Sequence, residues 1–169
     1  MSAARPPIRI ARGERDLALA RALFEEYASG LAIDLAFQGF DEELATLPGK
    51  YGPPLGRLLL AGATDVPAGC VALRPLDPPP EALGGMRAAP IGEVKRLFVQ
   101  PRARGTGAGR ALAAAIIDAA RAIGYRTLCL DTLETMREAR ALYESLGFAR
   151  TGRYGGHPID GIVYYAMTL

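Results

Sequence analysis

Apolar residues recur along the chain with two periods, and the switches between them mark its elements. Ile8 and Ile10 flank Arg9 in strand alternation. From Gly13 and Asp16 onward, Leu17, Ala20, Leu23, Phe24 and Tyr27 fall at helical spacing and make one apolar face, which Ser29 and Gly30 end. Leu31 to Phe40 is apolar with little period. Asp41 to Leu47 predicts a short acidic helix capped by Asp41 and stopped by Pro48. A Gly- and Pro-rich loop follows, then Arg57 to Ala63 and Ala68 to Leu73 predict two strands joined as a hairpin by T-D-V-P. Pro75 to Pro90 is too rich in proline to pack as a regular element and reads as a mobile connection.

The second half is organised around Val94 to Arg110. Val94, Leu97, Phe98 and Val99 form a β-branched and aromatic run that Pro101 closes, because proline cannot continue a ladder. Gly105, Gly107 and Gly109 then permit a tight turn, and a helix from about Gly109 to Ile123 places Leu112, Ala115, Ile116, Ala119 and Ile123 on one face. Gly124 stops it. Arg126 to Leu130 is the next strand, parallel to the previous one because a helical crossover joins them. A second helix, about Met136 to Leu146, buries Ala139, Leu142, Tyr143 and Leu146. Phe148 to Thr151 and Ile162 to Met167 close the chain as an antiparallel pair. The order β-α-α-β-β-β-α-β-α-β-β predicts an α/β domain with a mixed sheet.

Composition narrows the partners. The 169 residues suit one domain, 1–169, and 50% hydrophobic against 22% charged residues predicts a folded protein. A net charge of +2 argues against a nucleic-acid binder. Cys70 and Cys129 lie in apolar runs, and with a single histidine, His157, no metal site or Cys/His catalytic pair is expected. The N-terminus lacks a signal-peptide core, and the most apolar helix is broken by Asp118, so neither export nor a membrane is expected and the location reads as cytoplasmic.

The turn after the central strand has the features of a phosphate site. Bare glycine N–H groups, a helix N-terminus and Arg102, Arg104 and Arg110 all favour negative charge. A P-loop is excluded, since no lysine follows these glycines, and the dinucleotide G-x-G-x-x-G is missed at Arg110 and at Leu112. The pattern present from Arg104 to Gly109 is R-x-x-G-x-G. With the L-F-V strand before it, the helix after it and the A-R-A-L-Y-E-S-L-G-F segment from Ala139 to Phe148, it resembles the GNAT superfamily of N-acetyltransferases. The V-K-R-L-F-V strand and the Q-G-F-D-E-E run at Gln38 to Glu43 resemble an uncharacterised bacterial branch of it.

The resemblance implies a mixed, mostly antiparallel sheet with a parallel central strand pair and flanking helices. It implies acetyl-CoA as co-substrate, no metal, and direct transfer of acetyl to a primary amine of a small molecule or peptide, with a homodimer as one assembly. The backbone of Leu97, Phe98 and Val99 would meet the pantetheine arm and the thioester oxygen, and Arg104, Gly105, Thr106, Gly107, Ala108, Gly109 and Arg110 the pyrophosphate. Tyr143 takes the family position of a proton donor to the departing thiolate, although a core tyrosine on the helix's apolar face reads equally from the pattern. Glu93 and Asp131 are the two candidates for general base, Glu93 by family position and Asp131 by its place at the carboxyl end of a parallel strand; each could equally pair with Lys95 or Arg126. Met136 stands where many members keep an asparagine that contacts the coenzyme arm. The acceptor wall is expected at Phe37 to Phe40 and Tyr154 to Pro158. Two other classes compete: a non-catalytic acyl-CoA sensor, and a nucleotide-binding oxidoreductase.

Overall fold

The computed structural model describes residues 5–76, 90–156 and 159–169. Most of the proline-rich connection, 77–89, lies outside them, as do His157 and Pro158. In chain order the elements are β1 (Ile8–Ile10), α1 (Gly13–Ser29), α2 (Phe40–Ala45), β2 (Arg57–Gly62), β3 (Pro67–Pro75), β4 (Ile91–Val99), α3 (Ala108–Ile123), β5 (Thr127–Leu133), α4 (Arg137–Ser145), β6 (Ala149–Thr151) and β7 (Ile162–Thr168). Seven strands make one sheet in the order β1-β2-β3-β4-β5-β7-β6. Every neighbouring pair is antiparallel except β4 and β5, which run parallel because α3 carries the chain across the sheet between them. The mixed, mostly antiparallel sheet with one parallel central pair is therefore as the sequence predicts.

Strand alternation divides the core in two. Leu59, Val71, Leu73, Leu128 and Leu130 face α3 and α4 and pack with Leu112 and Ile116. Leu58, Leu60, Cys70 and Ala72 face the other way, against Ala20, Leu23 and Phe24 of α1 and Phe40 of α2. The two free thiols, Cys70 and Cys129, are both buried, and burial pushes both of them up.

Two local expectations shift. On α3 the fully buried residues are Ala108, Leu112, Ala113, Ile116, Ile117 and Ala120, whereas Ala115, Ala119 and Ile123 are only partly buried. The helix is so rich in alanine that its apolar arc is wide, and the large residues Ile116 and Ile117, not the alanines, set which side turns inward. On α2 the N-cap position is Gly39, in the left-handed region at φ 69°, and Asp41 sits inside the first turn. Burial of Phe40 sets that start; Asp41, Glu42 and Glu43 then face the helix dipole favourably. Among the described residues no helix is long and apolar enough to cross a membrane.

Candidate active site

The site begins with a fault in the sheet. β3 pairs Cys70 with Phe98 but Ala72 with Lys95, so β4 carries one more residue than its neighbour at this point, a β-bulge. The bulge centres on Arg96, at φ 57° the single non-glycine residue with positive φ among the described residues. Its effect is to reset the alternation: Val94 before it and Leu97 and Val99 after it all pack toward the α3 side. The Arg96 side chain turns the other way. Its Nη2 and Nε donate to Glu43 at 2.6 and 3.1 Å, its Nη1 donates to Gln38 Oε1 at 3.0 Å, and its guanidinium lies 5.2 Å from the centre of the Phe40 ring. Tyr51 donates its hydroxyl to Glu43 as well.

β4 and β5 are paired only from Ile91–Thr127 to Glu93–Cys129 and then part. The parting leaves a cavity of about 50 Å³ whose walls include Leu97 from β4, Asp131 and Thr132 from β5, Tyr143 from α4, and Tyr27 and Gln38 from the α1 side. A larger groove of about 690 Å³ runs along Leu97, Phe98 and Val99 to Arg104, Gly105, Gly107 and Arg110. Tyr27, Leu31, Leu97, Met136 and Ala139 border both, so the cavity stands at the groove's inner end.

The loop at the outer end leaves its backbone open on one side. Gly105 and Gly107 adopt φ 77° and 83°, and a Cβ at either would meet no atom within 4 Å, so both open onto space. Gly107 is the N-cap residue of α3, and the first turn bond runs from Ala111 N to Gly107 O at 3.0 Å. The N–H groups of Ala108, Gly109 and Arg110 therefore precede any intrahelical partner. Thr106 donates its hydroxyl to Ala103 O at 2.7 Å, Arg104 Nε reaches back to Val99 O at 3.2 Å, and Arg110 donates to Ser145 Oγ at 2.7 Å. Gly109 lies 3.7 Å, by its would-be Cβ, from Leu142 and Val99, letting α3 sit close to α4 and β4.

The candidate catalytic residues separate. Tyr143 is 7% exposed, its ring 5.9 Å from Phe148 and 6.4 Å from Tyr165, and burial raises its hydroxyl well above the usual phenol range. It is thus both a core tyrosine and a wall of the cavity. Asp131 lines the same cavity and accepts from Lys95 Nζ at 3.2 Å. Glu93 is buried one step behind, held by Arg74 at 2.7 Å, by the Tyr154 hydroxyl at 3.3 Å and by Lys95 at 3.8 Å. The two carboxylates thus belong to one ion cluster that Lys95 bridges, and the ion pairs identified among the described residues join them to Lys95 and Arg74 rather than to Arg126.

Several residues of the site escape sequence reasoning. Tyr27 belongs to the apolar face of α1 and looks like core, yet it borders cavity and groove, and burial raises its hydroxyl. Lys95 and Arg96 look like solvated charge but are 5% exposed each. Their one legible signal is position inside an apolar strand, where a charge must be paired. Met136 takes the N-cap position of α4 and lies 3.6 Å by its sulfur from Thr132 Oγ1, so an apolar side chain lines the groove where an amide was the family's habit. Of the expected acceptor wall, Gln38 lines the cavity, Phe40 is buried under Arg96, and Tyr154 packs on Tyr164 at 5.1 Å.

A profile of the Acetyltransferase (GNAT) family matches residues 18–148, from α1 through the end of α4. The chain belongs to the GNAT acetyltransferases. An uncharacterized N-acetyltransferase of Schizosaccharomyces pombe is 38% identical to it over 156 residues, 92% of this chain and 90% of that one. Another from Dictyostelium discoideum is 29% identical, over 80% of this chain and 86% of that one. Similarity is therefore not confined to a bacterial branch. Among solved structures, an acetyltransferase from Streptococcus agalactiae superposes with a TM-score of 0.70 over 98% of this chain and 99% of that one, at 21% identity. The Salmonella typhimurium acetyltransferase yncA, solved with its cofactor acetyl-CoA, gives 0.69 at 20% identity over 98% and 94%. This GNAT chain is accordingly an acyltransferase. Its groove presents backbone N–H groups and Arg110 at the glycine loop, apolar Leu97, Met136 and Leu142 along its length, and a cavity at the far end.

Proposed function

We propose that the enzyme transfers the acetyl group directly to a primary amine of a small molecule or peptide that enters the cavity between β4 and β5. The observation that carries this reading is that Tyr143 and Asp131, on different elements, line one small cavity at the inner end of the glycine-loop groove. A bond forms from amine nitrogen to the acyl carbon, the carbon–sulfur bond breaks, the amine gives up a proton and the thiolate takes one.

The amine's proton has a candidate acceptor residue, and the thiolate has a hydrogen-bond donor, with solvent as the source of the proton it finally takes. Asp131, rather than the more enclosed Glu93, takes the amine's proton, directly or through water, and is neutralised by it beside Lys95. Tyr143 keeps its own proton at neutral pH because burial disfavours the phenolate, so its contribution is a donated hydrogen bond toward the developing thiolate, with full transfer more uphill than for an exposed phenol. The backbone beyond the bulge, Leu97 to Val99, supplies groups for the thioester oxygen; one such N–H in a dry site can be worth roughly 3 kcal/mol. The two buried thiols suit a reducing, cytoplasmic location, which we include in the proposal.

The test is release of coenzyme A thiol from acetyl-CoA across a panel of amines. Release that depends on one class of amine supports the reading. Tight coenzyme A binding with no amine-dependent release would instead support a sensor.

A further inference from the structure

On the proposed transfer the coenzyme arm lies in the groove and the acetyl group in the cavity, so the carbon–sulfur bond that breaks lies where the two spaces meet. Among the described residues five border both: Tyr27, Leu31, Leu97, Met136 and Ala139. Four of these bring only hydrocarbon or a thioether to the junction, and neither donates a hydrogen bond. Tyr27 alone brings a side-chain O–H. Tyr143 borders the cavity and not the groove, so it meets this point from the cavity.

The last turn of α1 holds Tyr27 in place. Its ring lies edge-on to Phe98, with centroids 6.0 Å apart and planes at 60°, and Phe98 belongs to the stretch of β4 beyond the bulge. Burial raises its hydroxyl above the usual phenol value, while the charge of Arg96, another wall of the cavity, draws it down. After burial, Tyr27 is the next cause that raises Tyr143, so the two phenols face one cavity. A hydroxyl in a dry site beside a guanidinium makes a stronger hydrogen bond than one in water. Resting on the proposed direct transfer, we infer that Tyr27 is a second catalytic residue, its O–H donating to the sulfur as the carbon–sulfur bond breaks and its electron pair passes to sulfur. Tyr27 keeps its own proton, and the thiolate finally takes one from solvent. Tyr143 acts on the same atom from the cavity.

Tyr27→Phe keeps the ring on Phe98 and removes only the oxygen. The first measurement is kcat for thiol release from acetyl-CoA with an amine that supports turnover, beside the affinity for coenzyme A by calorimetry. The variant should lose about tenfold or more in kcat, the usual scale of a hydrogen bond to a charged group, with that affinity kept. The second measurement needs no acceptor: the thiol of bound coenzyme A is titrated by its thiolate absorbance, with the desulfo-coenzyme A complex as blank. Its pKa should rise by about one or more in the variant, because the thiolate has lost a donor. An unchanged kcat overturns the inference. So does a lower kcat with an unshifted thiol, which would put Tyr27 on the acceptor, and so does lost affinity for coenzyme A, which would make it a binding residue of the groove. If no amine supports release, the proposed function falls by itself, and the titration still decides whether Tyr27 meets the sulfur: a shifted thiol upholds that contact and an unshifted one overturns it.

Discussion

Arg96 and Glu43 form a buried pair that ties the bulge of β4 to helix α2, with the guanidinium 3% and the carboxylate 13% exposed. Arg96 holds a backbone conformation that costs an L-residue roughly 1–2 kcal/mol, and its side-chain bonds to Glu43 and Gln38 are what hold it there. The bulge turns Leu97 and Val99 toward the groove, while Gln38 lines the cavity, so one ion pair joins the cavity wall to the strand that lines the groove.

Glu43→Ala leaves that guanidinium buried without its anion. The expected loss is about 3–5 kcal/mol of folding stability, seen as a lower midpoint in urea unfolding. A midpoint within experimental error of the wild type would show that the pair is not a structural tie.

Tyr143→Phe removes a hydroxyl from the cavity and leaves the ring contacts with Phe148 and Tyr165 in place. Turnover should fall by about 10²-fold with coenzyme A affinity kept. Unchanged turnover would remove the hydroxyl from the chemistry.

Asp131→Asn and Glu93→Gln separate the two carboxylates. If Asp131 takes the amine's proton, its variant should lose about 10²-fold or more in kcat/KM, with the loss reduced at high pH where free amine is already abundant. Glu93→Gln should act mainly through the Arg74 and Lys95 contacts, lowering stability more than turnover. The reverse pattern in steady-state kinetics would exchange their roles.

Gly107→Val places a β-branched residue at φ 83°, at the N-cap of α3. Nothing in the protein would clash with its Cβ, so the penalty comes from backbone strain and from occupying the space where phosphate approaches. Coenzyme A binding, followed by calorimetry, should be lost; retained affinity would mean the loop does not hold the pyrophosphate.

Stability should decline on the alkaline side. Burial raises Cys70, Cys129, Tyr51 and Tyr143 above their unfolded values, so the folded state keeps protons that the unfolded chain releases. The corresponding stability is fully present below an unfolded thiol value of about 8.5 and is lost progressively as pH rises past it and then past about 10 for the phenols. Thermal unfolding measured from pH 7 to pH 10.5 checks this, and a flat profile would contradict it.

Much of the fold was legible because it is local. The order of strands and helices, the parallel crossover through α3 and the stops at Gly30, Pro101 and Gly124 follow from hydrophobic period and backbone chemistry within a few residues. The glycine loop was legible for the same reason: Gly105 and Gly107 carry the positive φ that their residue type permits. On α3 the pattern finds Leu112, Ile116 and the flanking Ala115 and Ile123 but not the buried Ala113, Ile117 and Ala120, because alanine gives weak contrast, and it misses the cap of α2 because Phe40 has to be buried.

The sequence by itself determined a GNAT-like α/β order and a phosphate-seeking turn, since period, propensity and motif are properties of neighbouring residues. Only the tertiary structure decided which side chains meet at the other end of the groove. Whether Asp131, Tyr143, Gln38 and Lys95 meet depends on where β4 parts from β5 and on one extra residue at Arg96. A shift of one residue exchanges the two faces of a strand, and no local pattern records it.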